Sequence, residues 1–130
     1  MKKWIILCIF LVVASASLAV VSANSLPVGG IDFTIPDGYQ MDDSFGGVDS
    51  EGVIRAAGFD NGDDRIEISV SNTKTVDDYK NDTFSDKTIG DISGFIGEED
   101  NGVVFVYEQD GQAVKILAPD EDTVKTIIGA

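Results

Sequence analysis

The chain has 130 residues, with 23 acidic against nine basic side chains and a formal net charge of −14. It has no histidine and one cysteine, Cys8, which excludes an internal disulfide, a histidine general base and histidine-ligated zinc. Nucleic acid is excluded as a partner on charge, because such binding runs on Lys and Arg neutralising phosphates.

Lys2 and Lys3 precede an 18-residue apolar run, Trp4 to Val21. Val21-Ser22-Ala23 closes the run with small residues at the two positions that signal peptidase reads. Residues 1–23 are therefore expected to be a signal peptide or an N-terminal membrane anchor. A cleaved signal has an apolar stretch of about 7–15 residues, and a spanning helix needs about 20. Ala14, Ser15, Ala16 and Ser17 weaken the second half of the run and favour cleavage after Ala23. In both outcomes the lysines hold the N-terminus inside and the remainder passes out. The expected location is extracellular or cell-surface, with membrane contact only through residues 4–21 if the leader is retained. Cys8 follows Leu7 and comes too early in the run for lipidation. All 23 acids follow the leader, against seven basic residues, a net of −16. Such charge keeps a domain soluble, and it also suits divalent cations, a basic partner or a salty habitat.

Residues 24–30 (NSLPVGG) are expected to be a spacer, with one acidic α+β domain over 31–130. In Ile31–Ile35 the apolar residues alternate, the mark of a half-buried strand. Pro36-Asp37-Gly38 then signals a turn. The stretch from Met41 to Gly52, rich in Asp, Ser and Gly, is expected as a loop. Val53–Phe59 and Arg65–Ser71 read as a hairpin turned at Asn61-Gly62. The small residues Ala56, Ala57 and Gly58 allow close approach of another element.

Thr75–Asp82 predicts a short helix capped by Thr75, with Val76 and Tyr79 toward the sheet. Thr88–Ile92 and Gly94–Gly97 read as one bent strand or two pieces. Val103–Glu108 is apolar on both faces, as a central strand is. Asp110-Gly111 returns the chain as Ala113–Ala118. Asp120 or Asp122 then caps a last helix whose stripe is Val124, Ile127 and Ile128. The predicted fold is α+β: a single, mostly antiparallel sheet of five to six strands, with a short middle helix and a C-terminal helix packed on it.

The opening Phe33-x-Ile35-Pro36-x-Gly38-Tyr39, the closing Phe105-x-Tyr107-x-x-Asp110-Gly111-x-x-Val114-x-Ile116 and the terminal helix together resemble small exported proteins of methane-producing archaea. A strand leading into Pro-x-Gly-aromatic is also similar to the opening of PsbP/Mog1-like domains. That resemblance implies an antiparallel sheet flanked by helices. It carries over no site, since this chain has no metal-binding histidine.

Three acidic groups are candidates for chemistry. Asp60, Asp63 and Asp64 lie in the first hairpin turn, Glu98, Glu99 and Asp100 before Asn101-Gly102, and Asp120, Glu121 and Asp122 at the last helix. Loop carboxylates can supply calcium's oxygen ligands, and Asp60, Asp63 and Asp64 are the metal candidates, although no EF-hand spacing occurs. The same residues serve turns and helix capping. Carboxylate-pair hydrolysis singles out no pair, and no nucleophile signature is present. Asn81-Asp82-Thr83 is an N-glycosylation sequon, a triplet common by chance. The expected function is an exported, non-enzymatic binding or accessory domain whose partner is an envelope or extracellular protein or a glycan. The alternatives are a carboxylate-dependent hydrolase of cell-surface glycan and a calcium-stabilised structural domain.

Overall fold

The computed structural model describes residues 24–99 and 101–129. The leader, residues 1–23, and Asp100 lie outside the described residues. Among the described residues nine strands and two helices follow in chain order: β1 (Asn24–Val28), β2 (Ile31–Ile35), β3 (Gln40–Val48), β4 (Ile54–Asp60), β5 (Arg65–Ser71), α1 (Val76–Tyr79), β6 (Ser85–Ile89), β7 (Ile92–Glu99), β8 (Gly102–Gln109), β9 (Gln112–Ala118) and α2 (Glu121–Ile128). The fold is α+β and antiparallel, but its sheet exceeds the expected five to six strands. Seven strands pair in the order β3-β4-β5-β9-β8-β7-β6, and β1 and β2 form a separate two-stranded hairpin.

The segment 24–30 is not a spacer. Five of its residues make β1, and Val28 is fully buried. Gly29 and Gly30 (φ 63° and 80°) form the tight turn into β2. A Cβ on Gly29 would overlap the Val70 side chain, so the hairpin tip rests directly on β5. There Gly29 N–H donates to the Ile54 carbonyl (2.6 Å), and Gln112 Nε2 donates to the Gly29 carbonyl (2.8 Å).

The inner face of the large sheet carries Phe59, Ile66, Ile68, Val70, Phe105 and Tyr107, all buried. The hairpin contributes Ile31, Phe33 and Ile35 to the same core, and α2 adds Val124 and Ile127 while packing on β2 and β9. Val104 and Val106 of β8 are also fully buried but belong to the outer face, where α1 packs on β8 and β9. Strand β8 therefore has cover on both faces, as its two-sided apolar sequence predicted.

Two other expectations change. The stretch read as a loop from Met41 is strand β3, which pairs with β4 through register shifts between Met41 and Gly46 and between Gly47 and Val48. Its polar composition suits an exposed sheet edge, where charge and bulges discourage pairing with another chain. It is held by Phe45, which lies over Gly58, and by Asp42, which accepts from Arg65 Nη1 at 2.9 Å. The middle helix is only one turn, closed by a capping box between Thr75 and Asp78. The open question at residues 88–97 resolves as the hairpin β6–β7, turned at Gly90-Asp91. Among the described residues no helix is long and apolar enough to cross a membrane.

The β3–β4 connection hangs on one carboxylate. Asp49 accepts from the backbone N–H groups of Glu51 (2.8 Å) and Val53 (3.0 Å), and from Arg55 Nε (2.9 Å). These bonds, the Val53 amide first, hold its carboxyl below the usual carboxylate range. A depressed folded-state pKa contributes stability above the unfolded value, about 3.9, and loses it as pH falls through the folded value. Asp49→Asn keeps an acceptor and removes the charge. The variant is expected to melt below the parent at pH 7, and the gap is expected to close as pH drops from about 4 toward 2. Thermal melts across that range check this, and a gap independent of pH would count against the charge.

Candidate functional site

In an antiparallel sheet alternate turns fall at the same end, so segments far apart in sequence meet along one rim. Here the β4–β5 turn closes at Asp60 opposite Arg65, the β7–β8 turn at Glu99 opposite Gly102, and β9 leaves at Ala118 opposite Val103. The acidic groups at 60–64, 98–99 and 120–122 therefore share one end of the sheet. All of these carboxylate residues are solvent-exposed.

Local geometry assigns several of these groups to folding. Asn61 Oδ1 accepts from the N–H groups of Asp63 (3.0 Å) and Asp64 (2.7 Å), which shapes the turn. Asp60 lies 3.6 Å from Arg65 Nη1. Arg65 also pairs with Asp42 (2.9 Å) and Glu67 (2.7 Å), and its guanidinium stacks 5.3 Å from the Phe45 ring centre. Asp120 caps α2 by accepting from Thr123 N–H (2.8 Å) and Thr123 Oγ1 (2.7 Å), which lowers its pKa. Glu121 pairs with Lys87 at 2.9 Å.

Asp60, Asp63 and Asp64, the calcium candidates, thus sit on one turn without converging. Among the described residues no group of three or more Asp, Glu, His or Cys side chains is arranged to hold a metal ion. Tyr39 links two of the acidic groups: burial pushes its phenol pKa up, and the nearby charges of Asp64 and Asp120 push it further.

Between α2 and the β6–β7 half of the sheet runs an open groove of about 400 Å³, lined by Thr83, Ser85, Ile96, Glu98, Val103 and Glu121. It continues past Glu98 and Val103 into a recess of about 510 Å³ that reaches Glu99, Asn101 and Pro119. The groove has an apolar floor in Ile96 and Val103, both half-buried, and acidic walls. This arrangement can take a cationic or hydrogen-bond-donating group with an apolar stem. Sequence reasoning found the acids but not Ile96, Val103, Lys87 or Tyr39 as their neighbours. Each of those reads locally as an ordinary strand or turn residue, and only strand order brings it to the rim.

No family model, curated protein or solved structure matches this chain.

Proposed function

We propose that the chain is an exported, non-enzymatic binding domain of the cell envelope that docks the acidic end of its sheet on a cationic surface of an envelope protein. The observation that carries this reading is that three acidic segments remote in sequence, the β4–β5 turn, the β7–β8 turn and the start of α2, share one end of the sheet, and that the last two line an open groove with an apolar floor. Anionic lipid and nucleic acid are repelled by such a surface, whereas a basic protein face is attracted and steered to it. The apolar floor offers a place for a Lys or Arg stem behind the charged head. Export rests on residues 2–23 and their signal-peptide layout.

The test separates position from net charge. Glu98→Lys, Glu99→Lys and Asp122→Lys are combined in one full-length variant. Glu51→Lys, Asp91→Lys and Glu108→Lys, which lie in or beside turns at the other end, are combined in a second of equal net charge. Oligolysine binding is then followed at low and high salt, and partners are captured from envelope extracts. The first variant is expected to lose about tenfold or more in affinity at low salt, and the second about threefold or less. Equal losses would reduce the attraction to bulk charge and remove the docking surface from the proposal.

A further inference from the structure

We propose that Asn81 is a site of N-glycosylation whose first sugar packs against Phe84; this rests on the export of the domain. The sequon Asn81-Asp82-Thr83 follows α1 directly, and all three residues are exposed. The Asn81 carbonyl accepts from Phe84 N–H (3.0 Å) and closes a turn that projects the side chain outward. Asn81 Oδ1 accepts from Thr83 N–H (2.9 Å) and from the Thr83 hydroxyl. Hydrogen bonds to the amide oxygen draw electron density from the amide nitrogen and make its proton easier to remove. Among the described residues Nδ2 itself has no hydrogen-bond partner, so the reacting atom is free.

A second observation points to the sugar. Asn81 borders a concavity of about 320 Å³ lined by Asp77, Lys80, Asp82, Phe84, Asp86 and Phe95. Phe84 is held on its inner side by Gly97, where a Cβ would come within 2.5 Å of the ring. Its outer side is half-exposed. Lys80 Nζ stands 3.7 Å over the Phe95 ring and closes that neighbour off. An aromatic floor with carboxylates around it matches a pyranose, which has an apolar C–H face and hydroxyl donors at its edge.

The donor is a lipid-linked diphosphate saccharide. The bond from sugar C1 to the diphosphate oxygen breaks, and the lipid diphosphate leaves with the electron pair. A bond from C1 to Asn81 Nδ2 forms, and one amide proton passes to the transferase's base. The full chain, isolated from its own cells after fractionation and protease shaving, is to be read by intact and peptide mass spectrometry. The expected result is an exported chain carrying a saccharide mass on the Asn81 peptide. Asn81→Gln and Thr83→Ala are expected to abolish it, and Thr83→Ser to retain it. In Phe84→Leu, which keeps an apolar contact to Gly97, Asn81 is expected to stay occupied while the rise in melting temperature that the sugar gives the parent over its enzymatically deglycosylated form is lost. An exported chain unmodified at Asn81 would overturn the site, and an equal sugar-dependent rise in melting temperature in Phe84→Leu would overturn the packing role. Recovery of the intact chain in the cytosol would instead overturn the export reading, and the site with it.

Discussion

Phe33→Ala is expected to cost about 3–5 kcal/mol, a large fraction of the stability of a domain this size. Phe33 is 1% exposed and lies on the inner side of β2 between Ile31 and Ile35. The hairpin it belongs to is not hydrogen-bonded into the seven-stranded sheet as a strand. It is docked through side chains, the Gly29 backbone contacts and its packing on α2. Emptying the Phe33 site therefore removes apolar burial and also loosens the lid that keeps water from Ile66, Ile68 and Ile116. Urea unfolding followed by tryptophan-independent far-UV signal checks the value. Asp32→Ala, on the exposed side of the same strand, is the control and is expected to stay within about 0.5 kcal/mol. A loss under about 1 kcal/mol for Phe33→Ala would mean that the hairpin does not form the lid.

Gly94→Val is expected to destabilise by about 3 kcal/mol or more, opposite in sign to its local propensity. In a strand, Val is ordinarily favoured over Gly by up to about 1 kcal/mol. Gly94 is an exception because of what stands over it. A Cβ there would overlap the Val106 carbonyl, come 2.9 Å from Tyr107 Cβ and 3.1 Å from Phe105 Cζ. The Phe105 and Tyr107 rings, 5.4 Å apart between centroids, fill the space a side chain would need. Both rings are buried, and burial pushes the Tyr107 phenol pKa up. The main obstacle is backbone, which cannot rotate away. Gly47→Val in β3 is the contrast: nothing lies within 4 Å of a Cβ there, and the change is expected to be neutral or mildly stabilising. Denaturation midpoints of the two variants, compared with the parent, decide between propensity and packing.

Much of the fold was legible because its signals are local. The alternation in Ile31–Ile35 and Arg65–Ser71 marked those strands at their observed bounds. The Asn61-Gly62 and Asp110-Gly111 turns and the apolar stripe of α2 were read from a few neighbouring residues, while the cap of α2 was narrowed to Asp120 or Asp122 and the structure places it at Asp120. Strand β3 was hidden because an edge strand buries little, so its residues carry no apolar alternation. Strand β1 was hidden for another reason. Leu26, Pro27 and Val28 resemble a linker until β2 folds back on them. The acidic groups were visible one by one, but the rim they form was not.

Composition and short-range pattern by themselves determined the acidity, the lack of histidine and the α+β character. These depend on residue type and on spacings of two to four, which the chain states directly. Only the tertiary structure decided that seven strands form one sheet, that a separate hairpin lids it, and that three acidic segments share an end. Strand order is settled by burying side chains from distant segments against one another, and no local period records which distant segment will be the neighbour.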